Sequence, residues 1–151
     1  MVIIISSLKS KIFIPGNVPS LKNSKIATKK GVFPSKTVVK YLRSLGIKHY
    51  SLRDKTVKGY IKRPNLFQPC ADIIKENIAQ NYPVNFGFHF VRDSQRKFDF
   101  HNAVHIIADL LVVHGVISDD DMDHFVPYCW RHLNGNYYSI DKENPGVWIY
   151  F

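Results

Sequence analysis

A chain of 151 residues that is 45% hydrophobic and 22% charged is long enough for one domain with a buried core and too apolar for a disordered one. Its net charge of +9 is divided unevenly: residues 1–63 hold 15 Lys and Arg against one acid, Asp54, and residues 64–151 hold 6 against 11. A part at +14 joined to a part at −5 argues for a polyanion held by one region and acted on through cations by the other, with plain solubility as the competing explanation.

The apolar opening VIII is too short to span a bilayer, lacks the charged stretch that precedes a signal peptide core, and reads as a strand. A first strand or hairpin follows at 11–15 (KIFIP), ended by Pro15, Gly16 and Pro19. SLKNSKIATKKGVFPS then reads as a polar basic loop. In it Lys22, Lys25, Lys29 and Lys30 can lie along phosphates and Asn23 can offer hydrogen bonds, or the loop is simply solvated. Ser35 is placed to cap a helix through about Leu45, with Val38, Val39, Leu42 and Leu45 on one face and Gly46 as the stop. In 47–64, cations alternate with aromatics, and Tyr41, Tyr50 and Tyr60 either stack on unpaired bases or pack at the edge of a core.

Residues 68–79 read as a second helix with Ile73, Ile74 and Ile78 inward, and VNFGFHFV as a strand with Phe86, Phe88 and Phe90 on one face. Cys70 and Cys129 are too few for a disulfide framework and read as reduced thiols of a cytosolic protein. Residues 125–133 and 147–151 complete the strands around a turn at Asn134 and Gly135. Strands and helices mixed in this irregular order predict a single α+β domain, with helices packed on a mixed sheet.

The densest chemistry lies in 96–123, RKFDFHNAVHIIADLLVVHGVISDDDMD. Residues 103–113 have helical spacing but are apolar on nearly every face, which predicts cover on more than one side, from the sheet and, as one option, from a partner subunit. Asp109 in the middle of that helix needs a partner, a metal or water. Asp99, Asp109 and the run Asp119, Asp120, Asp121 can share a hard divalent ion if the chain after Gly115 returns beside the helix. One at a time, Asp99 is equally a helix cap and the aspartate run a solvated turn. His101 and His105, one helical turn apart, can also face one ion, although no Glu follows His101 as a zinc-protease motif requires.

The stretch RKFDFHNAVHIIADLLVVHGVISDDD, together with the earlier IPGNVPSLKNSK, resembles the RusA family of Holliday-junction resolvases. That family's motif is an Arg-rich turn, Asp-x-Asp-Asn, a Lys three residues later, a helical Asp-x-Leu, then Gly-Val and a paired Asp-Asp. The resemblance covers most of the chain, with the basic segment at about 36–63 standing as an insertion into a RusA-like endonuclease domain of 1–151. By position, Asp99 matches the first catalytic Asp, Asn102 the Asn, Asp109 the helix Asp, and Asp120 the second residue of the pair. Two departures stand out: His101 replaces the second Asp and His105 the catalytic Lys.

The resemblance implies a homodimeric, metal-dependent endodeoxyribonuclease that resolves four-way junctions by paired symmetric nicks, in the cytoplasm of a bacterial or phage-infected cell, with no membrane role. It implies catalytic Asp99, His101, His105 and Asp120, and Mg²⁺ or Mn²⁺ held by Asp99, His101, Asp109, Asp119 and Asp120. Branched DNA would be held by Lys22, Asn23, Lys25, Lys29, Lys30, Arg96 and Lys97. A His at position 105 acting as a cation predicts activity that falls with rising pH. The alternative is a noncatalytic junction-binding protein with a degenerate site.

Overall fold

Strand β6, Val84–Arg92, is the one on which the other elements assemble. The computed structural model describes residues 10–20, 25–51, 56–62, 66–77 and 83–151; the expected strand VIII and the candidates Lys22 and Asn23 lie outside them. On one side β6 pairs antiparallel with β9 (Gly146–Tyr150), which pairs antiparallel with β1 (Lys11–Pro15). On its other side it pairs parallel with β7 (Phe125–Cys129) and then, further along, with the short β8 (Ser139–Ile140). Three helices complete a single-domain α+β fold with a mixed sheet, and none of the described helices is long and apolar enough to cross a membrane.

The alternation in β6 sends Phe86, Phe88 and Phe90 to one face, where they meet Phe125, Phe98 and Phe100 at ring separations of 5.4–6.1 Å. A half-buried strand would leave the opposite face open, but β6 is central and buried on both faces. Gly87 lies so close beneath Tyr128 and Trp130 that a Cβ there would clash with both rings. His89 is fully buried under His132, the two imidazoles parallel at 3.3 Å. The Trp130 carbonyl accepts a hydrogen bond from His89 Nδ1 (2.9 Å), which leaves Nε2 to accept from the Ser139 hydroxyl (2.7 Å). A neutral imidazole is thereby satisfied at both nitrogens.

Helix α1 (Lys36–Ser44) starts as its sequence dictates, with Ser35 Oγ accepting from Val38 N and Gly46 at φ +87° just beyond the end. The preceding polar stretch is not all loop: it forms a hairpin, β2 (Lys25–Thr28) and β3 (Gly31–Pro34), which turns at Lys29 and Lys30. A second hairpin, β4 (Ile47–Ser51) and β5 (Thr56–Tyr60), follows α1. Val38, Tyr41, Leu42, Leu45 and Ile47 all join the main core, so Tyr41 is unavailable for base stacking. In α2 (Gln68–Asn77), Cys70, Ala71 and Ile74 are buried whereas Ile73 faces out, and Ile78 lies outside the described residues. Cys70 and Cys129 are free thiols, and burial pushes that of Cys70 up to about 12.

Helix α3 (Phe100–Val113) begins at Asp99, whose carboxylate accepts from the amides of His101 (2.9 Å) and Asn102 (3.3 Å). Its apolar residues from Ala103 to Leu111 are buried within the chain. The sheet covers one side, while Val38 and Leu42 of α1 meet Ile106 and Leu110 around a small cavity on another. Cover on a second side of this helix thus comes from α1, within the chain. Strand β7 is shorter than the predicted 125–133: after Trp130 N bonds to Phe88 O the chain doubles back, His132 N bonding to Asn136 O, and Leu133 is left fully exposed.

Candidate metal centre

Two side chains of the centre come from one stripe of α3. His105 and Asp109, separated by four residues, lie on the same helix face, with Nε2 and Oδ2 3.9 Å apart. His105 is half exposed and Asp109 is largely covered, at 16% side-chain exposure. The third comes from the loop that leaves the helix. Gly115, at φ +70°, releases the chain, and Val116 N bonds back to Leu111 O at 2.9 Å. Val116 and Ile117 are buried and fix where the chain turns, so the aspartate run comes back alongside α3.

Within that run the three aspartates have different roles. Asp119 Oδ1 accepts from Asp120 N at 2.8 Å. Asp121 turns away toward His124, Oδ1 to Nδ1 at 2.6 Å, and that contact holds its carboxyl below the usual carboxylate range. Asp120 remains, half-buried, and projects toward α3. The ligating atoms of His105, Asp109 and Asp120 all lie within 4.8 Å of one another. Ligands around one small cation at metal–donor distances of about 2.1 Å sit roughly 3–4 Å apart, so modest side-chain rotation closes this set on an ion.

Tyr50 of β4 adds a group whose position the sequence does not reveal. Its hydroxyl is buried and has no hydrogen-bond partner among the described residues. Burial raises its pKa well above the ordinary phenol value, and the carboxylates of Asp109 and Asp120 raise it further. The phenol is thus held protonated, as a donor, beside two acids. Lys25, at the base of the β2–β3 hairpin, borders the same cavity as Tyr50, His105 and Asp109.

The remaining expected site residues lie elsewhere. Asp99 is engaged as the α3 cap and stands about 9 Å before His105 along the helix axis. His101 is exposed and outside the ligand group; the neighbour that His105 shares the group with is Asp109, one turn onward, instead of His101, one turn back. Lys29 and Lys30 sit at the hairpin turn, and Arg96 and Lys97 are exposed just before α3. Asn102 holds the backbone together here, since its amide donates to Ser20 O at 3.3 Å and ties the loop after β1 to the start of α3. Arg92 secures the same loop by donating to the Val18 carbonyl. Compared with known proteins, the chain has no match among family profiles, curated proteins or solved structures.

Proposed function

We propose that this chain is a divalent-metal-dependent endodeoxyribonuclease of the RusA kind, acting as a homodimer on four-way DNA junctions. The observation that carries the reading is the convergence of His105, Asp109 and Asp120 within 4.8 Å. These are three of the motif positions, and they come from two elements that the chain has to fold back to bring together. The division of the sequence into a basic and an acidic part supports a polyanionic substrate.

One imidazole and two carboxylates fit a first-row divalent ion, and the neutral nitrogen donor favours Mn²⁺ over Mg²⁺. A bound ion supplies Lewis-acid polarisation of a phosphodiester and raises the acidity of water beside it. Asp109 and Asp120 provide the negative charge that holds such an ion against the cationic surroundings. Lys25 offers its ammonium to a phosphate oxygen at the edge of the cavity, and the Tyr50 hydroxyl donates into it. A ligating His105 has to be neutral, so the expected pH dependence changes sign: acid weakens metal binding and activity rises with pH.

A second reading, a noncatalytic junction binder, is favoured by one observation: Asp99 caps α3 and His101 stands outside the ligand group, so the resemblance's own acid set is not assembled. Cleavage of a labelled four-way junction and of a linear duplex, in Mg²⁺, Mn²⁺ or EDTA, separates the two. Paired nicks on the junction that need metal and vanish in Asp120→Asn support the nuclease. Tight junction binding with no nick in any metal overturns it in favour of the binder.

A further inference from the structure

The exposed side of α1 lines a groove next to the candidate metal centre. Between β3, α1 and β4 lies a recess of about 350 Å³, with Phe33, Val39 and Tyr50 among its walls. Across Pro34, Val39 and Arg43 it continues into a second recess of about 310 Å³, flanked by Lys36 and Lys40. At the other end, Tyr50 and Leu42 are also walls of the cavity that holds His105 and Asp109. The two outer recesses thus run together along α1, and Tyr50 and Leu42 are walls common to the first of them and to the smaller inner cavity.

The groove's charge is of one sign. Lys36, Lys40 and Arg43 recur along one face of α1, Lys48 stands on β4, and Lys25 waits at the centre. No carboxylate lines the two outer recesses among the described residues, and Asp109 lines the inner cavity next to them. The floor is apolar and aromatic: Phe33 is 48% exposed, far more than a core phenylalanine, and pairs across the hairpin with Ile26, itself 44% exposed. A solvated basic helix face needs no such floor. Duplex DNA presents phosphates outward and hides its bases, so it would use only the cations. An unpaired strand offers phosphates and base faces together.

We propose that the groove along α1 binds unpaired DNA and holds it beside the His105–Asp109–Asp120 centre, across the wall formed by Tyr50 and Leu42. The substrate class is then a branched DNA with a single-stranded segment, such as an opened junction or a flap. The use made of the strand rests on the nuclease reading; the groove itself does not.

The test is fluorescence anisotropy of labelled oligo(dT) in EDTA, with unlabelled duplex and oligo(rU) as competitors, across a salt series. Wild type should prefer oligo(dT) to duplex by about tenfold or more. Lys40→Ala combined with Arg43→Ala changes two exposed side chains. It should weaken binding roughly tenfold and reduce the slope of log affinity against log salt by about 1.4, the share of two single-strand phosphate contacts. Phe33→Ala should weaken binding roughly 5- to 150-fold through lost stacking while leaving that slope unchanged. Thermal melts of each variant separate lost binding from lost folding. Equal affinity for duplex and oligo(dT), tighter binding of oligo(rU), or variants that fold and bind as wild type would each overturn the proposal. No cleavage occurs in EDTA, so failure here leaves the nuclease reading intact. A protein that grips oligo(dT) yet never nicks a junction would sink the nuclease reading alone.

Discussion

Replacing Tyr50 by Phe should stabilise the protein while impairing the proposed cleavage of DNA junctions. The Tyr50 oxygen is buried with no hydrogen-bond partner among the described residues, and such an orphaned hydroxyl costs about 1–3 kcal/mol of folding stability. Removing it leaves the ring in place beside Leu42 and Leu110 and costs the fold no hydrogen bond in return. Taking the low end, a gain of about 1 kcal/mol raises Tm by roughly 2–4 °C for a chain of this size. Tyr41 is the control. Its hydroxyl is equally orphaned, but the ring is in the core away from the acids, so Tyr41→Phe should stabilise by a similar amount and leave nicking unchanged. The measurement is thermal unfolding in EDTA by circular dichroism, beside junction cleavage in Mn²⁺. If Tyr50→Phe instead melts earlier, by the equivalent of about 1 kcal/mol or more, the hydroxyl has a partner and the reasoning fails.

Metal binding should itself appear as stability. Mn²⁺ at a hundred times its Kd adds about 2.7 kcal/mol, or roughly 5–10 °C in Tm, and Asp120→Asn should abolish that shift. Asp99→Asn should keep both the shift and the helix cap, since Asn caps as well as Asp, whereas Asp99→Ala should cost about 1 kcal/mol; loss of the Mn²⁺ shift in Asp99→Asn would put Asp99 back among the ligands. Burial lowers the pKa of His89, and burial with the facing His89 and Lys11 lowers that of His132. A depressed histidine pKa means that the unfolded chain takes up protons the fold resists. Stability is therefore full above about pH 6.5 and declines below it, by up to about 1.4 kcal/mol per pH unit for His89, and urea melts that do not weaken in acid would contradict this. Gly46→Ala should cost about 2 kcal/mol or more in the same melts, because φ is +87° and a Cβ would run into the Lys62 carbonyl oxygen.

Local signals carried most of the helices and strands. Ser35 and Gly46 bracket α1 because capping and left-handed backbone are properties of single residues, and the phenylalanine alternation of β6 is a period that any sheet face imposes. Burial on the second face of β6 was not legible, since it depends on which side chains return from β7 and the loop beyond to lie over Gly87 and His89. The hairpin β2–β3 hid for a related reason: its residues are almost all exposed, so no hydrophobic alternation marks it. In the candidate site, the spacing of His105 and Asp109 was visible, but not which neighbour joins them. His101 and Asp109 are equally placed one turn from His105. The choice is made by Asp120, whose position depends on the burial of Val116 and Ile117. Tyr50 stood out as an aromatic among cations, but not as a neighbour of the acids, because such a tyrosine looks the same whether it points to solvent or to a carboxylate far along the chain.

All three ligating side chains belong to one continuous piece of chain, α3 and the loop that leaves it. Lys25 and the hairpin that carries it, β2 and β3, belong to another. On the proposed nuclease reading, reaction and recognition are therefore written in separable stretches, like a tool head and an exchangeable handle. On that reading, a hairpin of different length or charge inserted between residues 24 and 35 would change which nucleic-acid shape is admitted while the candidate ligands stay where α3 and Val116 put them. A small protein built in this way can acquire a new preference for substrate shape without reassembling its chemistry.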